Sequence, residues 1–357
     1  MLDRVKATLL GLACGDALGA PTEFMHMDAI RARYGATGIQ NIAQTDGRFT
    51  DDTQMAVAVA EGLLDALPKP GGSLEVTFGG DDVTVERKEP ESYAGYMADP
   101  AHVMPWIAKR FVAWAFGPKN NRAPGSTCMA GCRALRNGVW WTESGVKNSK
   151  GCGGMMRAAP VGLVYDDADV IAEIAGAQSK ITHGHPASTQ AAQLTALCVW
   201  WLSSGLVDAD HLWFNARLWL RAQERPDPKF VALIERVGDV LEINLKTGHG
   251  MAPECVMVRY ENHLLALGES WQGDEAFASA LYCFLLAHQR GEGYVETVRY
   301  GANTDGDSDS IACVAGAFAG AFWGLGGFKG VPQSWIDCVE DSAYLDGLAT
   351  RLAELSL

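Results

Sequence analysis

The sequence predicts a chain built mainly of helices and interrupted by one β-hairpin. Three observations carry this. After Thr50, Met55, Val59 and Leu63 recur at i, i+4 and i+8, the spacing that lines one helix face. From Ile311 to Phe328 there are 18 residues without a charge, and Gly316, Gly320 and Gly324 fall every four positions along one face. Between residues 73 and 87 the period drops to two on either side of Gly79-Gly80-Asp81-Asp82, the signal of a hairpin.

Taken in order, residues 3–13 read as the first helix, leading into Gly15-Asp16-Ala17-Leu18-Gly19-Ala20-Pro21-Thr22-Glu23. The glycines there are expected to bend the backbone and Pro21 to stop the helix. Arg4 and Lys6 before an apolar run imitate a secretion signal, but Asp16 interrupts the run and argues against one. On the residues alone, Asp16 and Glu23 serve equally well as caps or surface acids. Thr50 suits the N-cap of a helix over 53–66, which puts Asp51 and Asp52 in its first turn. The hairpin is marginal by itself and must lean on the body or on a partner.

Residues 101–116 form an aromatic helix with Trp106, Phe111 and Trp114 in the core, and in 122–128 Ser126 or Thr127 begins another. Asn148-Ser149-Lys150-Gly151-Cys152-Gly153-Gly154 is the richest loop. Three glycines in four positions let main-chain N–H groups converge on an anion such as a diphosphate, with Lys150 or Arg157 adding charge; a plain glycine turn is the other reading. His183 and His185 precede an apolar helix over 187–202. They lack further ligands at zinc spacing, so hydrogen bonding or stacking against a substrate suits them better. More helices fill 205–300, and Trp200, Trp201, Trp213 and Trp219 read as core. The glycine-spaced run after Ile311 reads as a tightly packed central helix, not a membrane span.

The 357 residues carry no low-complexity linker and are expected to form one domain, 1–357. The balance of 29 basic to 43 acidic residues, formally −14, speaks against nucleic-acid or anionic-membrane partners. Nine scattered cysteines without a CxxC pair suit free thiols in a reducing cytoplasm.

Two acidic clusters remain. Asp51 and Asp52 repel each other and resist burial without compensation, although acids in a first turn also simply complement the helix dipole. Asn303 to Ser310 places Asp305, Asp307 and Asp309 among Thr304, Ser308 and Ser310 before another helix. An EF-hand fails, because its Gly and Glu positions hold Ser310 and Gly316. Two hydroxyl-and-carboxylate clusters, each at a helix mouth, point to one shared site for a hard divalent cation.

Five stretches, GDALGAPTE (15–23), FTDDTQM (49–55), RAPGSTC with NSKGCGGMMRAAPVGL (122–128, 148–163), ITHGHP (181–186) and GDSDSIA (306–312), together resemble the ADP-ribosylglycohydrolase family. The resemblance implies an all-α, compact orthogonal helical fold, here with a β-hairpin insertion. It implies two Mg²⁺ ions, with Mn²⁺ as an alternative, and cleavage of the bond between ADP-ribose and a protein side chain, arginine favoured. By the same resemblance Thr50, Asp51, Asp52, Asp307, Asp309 and Ser310 are metal ligands, and Glu23, Asp51 and Asp52 are the catalytic candidates. Gly125, Asn148, Ser149, Lys150, Gly151, Cys152, Gly153, Gly154 and His183 line the substrate cleft. Asp305 stands where the family has glycine and is expected near the ions; Cys152 replaces the commoner asparagine. Two rival readings are a binding protein that counteracts an ADP-ribosyltransferase toxin through the hairpin, and a two-metal phosphohydrolase.

Overall fold

The computed structural model describes residues 1–67, 74–78, 81–85, 93–247 and 262–355. In chain order its helices are α1 (Leu2–Gly19), α2 (Met27–Tyr34), α3 (Asp51–Asp65), α4 (Tyr93–Ala98), α5 (Pro100–Ala115), α6 (Ser126–Arg136), α7 (Ala168–Lys180), α8 (Pro186–Ser204), α9 (Ala209–Arg221), α10 (Pro228–Thr247), α11 (262–267), α12 (Gly273–Gln289), α13 (Tyr294–Ala302), α14 (Ser308–Trp323), α15 (Gln333–Ile336) and α16 (Ser342–Ala353). Short 3₁₀ turns link several of them. The architecture is all-α, as expected, with one small hairpin.

The axis of the fold is α14, buried along 308–321 and flanked by α1, α8, α12 and α13. Its face toward α1 is made of backbone. A Cβ on Gly15 would stand 2.1 Å from the Ala312 carbonyl oxygen, one on Gly316 2.4 Å from that of Gly11, and one on Gly320 2.1 Å from that of Ala7. Side chains would force the two helices apart, so glycine sets their separation. This corrects the expected bend: α1 runs unbroken through Gly15 to Gly19, and its glycines serve close approach, not turning. Gly316 and Gly320 line the seam, whereas Gly324 ends α14 with φ +74. No helix among the described residues is long and apolar enough to cross a membrane.

The helix 101–116 buries Phe111 fully, while Trp106 and Trp114 pack against the rim of the core. Trp201 is in the core; Trp200, Trp213 and Trp219 are half-buried against it. The hairpin pairs β1 (Leu74–Phe78) with β2 (Asp81–Val85), with Leu74 opposite Val85 and Phe78 opposite Asp81. Asp81 and Asp82, expected in the turn, are therefore strand residues. Gly79 and Gly80 lie outside the described residues, as do Ser73, Glu86 and Arg87 at the expected ends.

Candidate active site at the mouths of two helices

The first helix mouth belongs to α3. Thr50 is its N-cap, the Oγ1 accepting from Asp52 N at 3.3 Å. A second cap comes from Asp16 in the last turn of α1. Its carboxylate, fully buried, accepts from Thr50 N at 2.9 Å, Thr53 N at 3.0 Å and Thr53 Oγ1 at 2.5 Å. Asp16 thus anchors the backbone that carries Asp51 and Asp52. Arg122 holds the approach to α3: its guanidinium pairs with Glu340 (Nη2 to Oε2 2.9 Å) and donates to the Phe49 carbonyl, while Phe49 N donates to Glu340 Oε1 at 3.1 Å.

The second mouth belongs to α14, with Asp307 as N-cap and Asp309 and Ser310 in the first turn. Gly306 precedes it with φ +95, and a Cβ there would meet the Glu269 carbonyl oxygen at 2.2 Å, so this turn requires glycine. The glycine seam brings the two mouths together. Ser310 Oγ donates to Asp52 Oδ2 at 2.7 Å, joining α14 to α3. Ser308 Oγ donates to the Gly19 carbonyl at 3.1 Å, and Thr22 Oγ1 donates to that of Ala302 at 2.7 Å. These bonds pin the turn that presents Glu23.

Thr50, Asp51, Asp52, Asp307, Asp309 and Ser310 are all buried, and no lysine or arginine forms an ion pair with these carboxylates among the described residues. The consequence is electrostatic. Burial, then Asp309, pushes the Asp51 carboxyl up to about 7, and the same two causes bring Asp16 to about 7. Asp52 and Asp307 are pushed well above the carboxylate range, again by burial and then Asp309. Glu23, raised by burial and then by Asp309, Asp307 and Asp51, reaches about 10. Such a set of crowded, hard oxygen donors fits divalent cations, which would neutralise the repulsion that raises every member. As they stand, the donors are turned on each other, and among the described residues no three His, Cys, Asp or Glu side chains already converge at ligand spacing.

The remaining expected residues divide. Gly125, exposed at the start of α6, donates its N–H to Asp51 Oδ2 at 3.3 Å. Ser149 Oγ donates to Thr127 Oγ1 at 3.2 Å, tying the 148–154 loop to that segment. Asn148 is exposed and Lys150 half-buried beside them. Within the loop, Gly151 N is turned to Ser149 Oγ (3.4 Å) and Cys152 N to the Trp271 carbonyl (3.1 Å). Gly153 and Gly154 leave room for Cys128, His183 and Ser179; the glycines are thus required by packing, whatever the loop binds. His183 is 2 % exposed and sits behind the loop. Burial, then Arg157, holds its imidazole down at about 3, hence neutral, with Nδ1 paired to Thr182 Oγ1 at 2.8 Å.

Two expectations are corrected. Arg157 adds no charge to the loop: it is fully buried, bonded to Gln178 and Thr182 and placed over the Phe111 ring. Asp305 is engaged by α2, accepting from Met27 N at 2.6 Å with His26 Nδ1 at 3.2 Å, so it caps that helix. Sequence reasoning missed Phe24 and Trp271, whose rings stack at 5.1 Å between the Glu23 turn and the glycine loop; Phe24 has φ +62 and is largely exposed. A cavity of about 600 Å³ opens beside Glu23 and Thr50, with Arg33, Tyr34, Arg48 and Arg122 in its other walls.

A family model described as ADP-ribosylglycohydrolase matches residues 1–357. The chain is 26% identical to the ADP-ribosylhydrolase ARH3 of Mus musculus, over 98% of this chain and 91% of that protein. It is 22% identical to the ADP-ribosylarginine hydrolase Tri1 of Serratia proteamaculans, over 98% and 79%. With the ADP-ribosyl-[dinitrogen reductase] glycohydrolase of Rhodospirillum rubrum it shares 31% identity over 53% of this chain and 54% of that protein. A solved structure described as an ADP-ribosylglycohydrolase-related protein complex superposes with a TM-score of 0.66 at 22% identity, covering 100% of this chain and 99% of that one, and so supports the fold.

Proposed function

The chain belongs to the ADP-ribosylglycohydrolase family, and on that premise we propose that it hydrolyses the glycosidic bond between ADP-ribose and a protein side chain, arginine favoured, releasing ADP-ribose. We read residues 1–357 as a single domain of this kind, acting in the cytoplasm on ADP-ribosylated protein. The observation that supports this best is the meeting of the α3 and α14 mouths, where Asp51, Asp52, Asp307 and Asp309 lie buried beside Glu23 with no lysine or arginine ion pair among the described residues. The names of the mouse and Serratia relatives agree with the reaction, and the latter with arginine as acceptor.

In this reading Thr50, Asp51, Asp52, Asp307, Asp309 and Ser310 hold two Mg²⁺ or Mn²⁺ ions, which when bound would supply Lewis-acid polarisation of ribose and water oxygens. The chain's own residues do the rest. Asp16 and Arg122 hold the α3 mouth so that Asp51 and Asp52 keep one position. Glu23, presented beside the two helix mouths by the turn that Thr22 pins, donates a proton to the leaving side-chain atom as the anomeric bond breaks. Asp51 accepts the proton of the water that adds to the anomeric carbon. Ser149 and Lys150, tied to the Gly125 segment through Thr127, contact the diphosphate at the cleft rim, and neutral His183 supports the loop from behind.

The test incubates the protein with Mg²⁺, and separately with EDTA, on arginine- and serine-linked ADP-ribosyl peptides and follows product mass. Intact ADP-ribose released only with metal supports the proposal and identifies the linkage. Release of inorganic phosphate would favour the phosphohydrolase reading. The rival that assigns the hairpin to toxin binding gains no observation in its favour.

A further inference from the structure

The proposed ligand set is all oxygen, yet a sulfur stands among it. Cys152 Sγ lies 2.9 Å from Asp307 Oδ2 and 3.6 Å from Ser310 Oγ, and Ser310 Oγ lies 2.7 Å from Asp52 Oδ2. As the structure stands these are hydrogen bonds, and they bring the sulfur into contact with two oxygens of the proposed ligand set. The four atoms reach this point from the glycine loop, α14 and α3, so their approach is not an accident of neighbouring sequence.

The thiol is also fixed in place. Cys152 N donates to the Trp271 carbonyl at 3.1 Å, and Ser188 Oγ donates to the Gly151 carbonyl at 2.9 Å. A Cβ on Gly153 would stand 2.6 Å from Cys128 Sγ and 2.7 Å from His183 Cε1. The loop is therefore clamped on both sides of Cys152.

We infer that Cys152 is itself a metal ligand, and that this chain binds borderline and soft divalent cations, Zn²⁺, Co²⁺ or Cd²⁺, in a mixed sulfur and oxygen site. The inference rests on the metal-site reading above and deepens it. Coordination breaks the S–H bond, forms a sulfur–metal bond and releases the proton to solvent. A thiolate favours these ions over Mg²⁺, which prefers oxygen.

The full chain, Cys152→Ser and Cys152→Asn are titrated with Cd²⁺, following the ultraviolet thiolate-to-cadmium charge-transfer band, and with Mg²⁺, following the melting temperature. Wild type is expected to develop the band with saturation, and both variants to lack it and bind Cd²⁺ at least ~10-fold more weakly. Stabilisation by Mg²⁺ is expected to persist in all three. Melting curves without metal show that the variants fold, and having two variants keeps the test open if one does not. An equal band in the variants, or no band in wild type while Mg²⁺ still stabilises it, overturns ligation by Cys152 and leaves the oxygen site standing. Absence of any effect of either cation on any of the three proteins takes down the metal site as well.

Discussion

Replacing Asp16 with alanine tests whether the α3 mouth is held from α1. The mutation deletes the acceptor of three hydrogen bonds and leaves Thr50 N and Thr53 N, both deep in the protein, without their partner. Hydrogen bonds to charged groups contribute about 1.5–3 kcal/mol each, and a buried donor left unpaired costs about 1–3 kcal/mol. Against this, burial and Asp309 already raise the Asp16 carboxyl to about 7, so part of the gain is offset in the wild type. A net loss of ~3 kcal/mol is expected. With an unfolding entropy of about 2.1 cal/mol/K per residue, or roughly 0.75 kcal/mol/K for 357 residues, the melting temperature should fall by about 4 °C. The loss should exceed that in Mg²⁺, because the unanchored turn no longer presents Asp51 and Asp52 together. Scanning calorimetry with and without Mg²⁺ measures both effects. A melting temperature within 1 °C of wild type (about 0.75 kcal/mol by the same scale), with an unchanged Mg²⁺ response, would refute the anchoring role.

In EDTA, stability should decline as pH rises from about 4, the ordinary aspartate range, through about 7, where Asp51 and Asp16 titrate in the native state. Their raised native values mean that the folded form binds protons more tightly than the unfolded one, so stability is highest at the acid end of this window. Denaturant midpoints that rise with pH over that range would contradict the assignment. Asp309→Ala should keep the helical circular dichroism but lose the Mg²⁺-dependent melting shift and at least ~10³-fold of turnover; full turnover in this variant would sink the two-ion reading. Glu23→Gln should lower turnover by ~10²–10⁴-fold while Mg²⁺ still raises the melting temperature, and loss of the cation response instead would make Glu23 a ligand. Gly15→Ala, with its added carbon 2.1 Å from the Ala312 carbonyl oxygen, should cost about 1–3 kcal/mol or more by urea unfolding; an unperturbed midpoint would mean that the seam yields.

Much of the site could be read from residue types because hydroxyls and carboxylates at a helix start are local features. Thr50, Asp51 and Asp52, and likewise Asp307, Asp309 and Ser310, advertise themselves within a few residues. What joins them is not local. Asp16 looked like any capping acid, since the helix it caps begins 34 positions later. Phe24 and Trp271 show no pattern that distinguishes a stacked pair from two unrelated aromatics. The glycines of α1 were read for flexibility because glycine most often supplies it; only the opposite backbone, Ala312 and Gly316, shows that they act through absent volume. Arg157 and Asp305 were assigned to the site by charge, yet burial and a neighbouring helix end had claims on them that sequence order conceals.

The seam between α1 and α14 also bears on when the protein becomes competent. Ser308 and Gly19 are 289 positions apart, so the first helix leaves the ribosome long before its partner exists, with a strip of bare backbone awaiting cover. Contacts of such long range close late and slowly, and domains of this size pass through partly packed intermediates. The two acidic helix mouths are thus kept apart during synthesis until α14 is made and can close on α1. A nascent or truncated chain that lacks α14 would therefore carry Thr50, Asp51 and Asp52 without the Asp307, Asp309 and Ser310 that meet them in the finished fold.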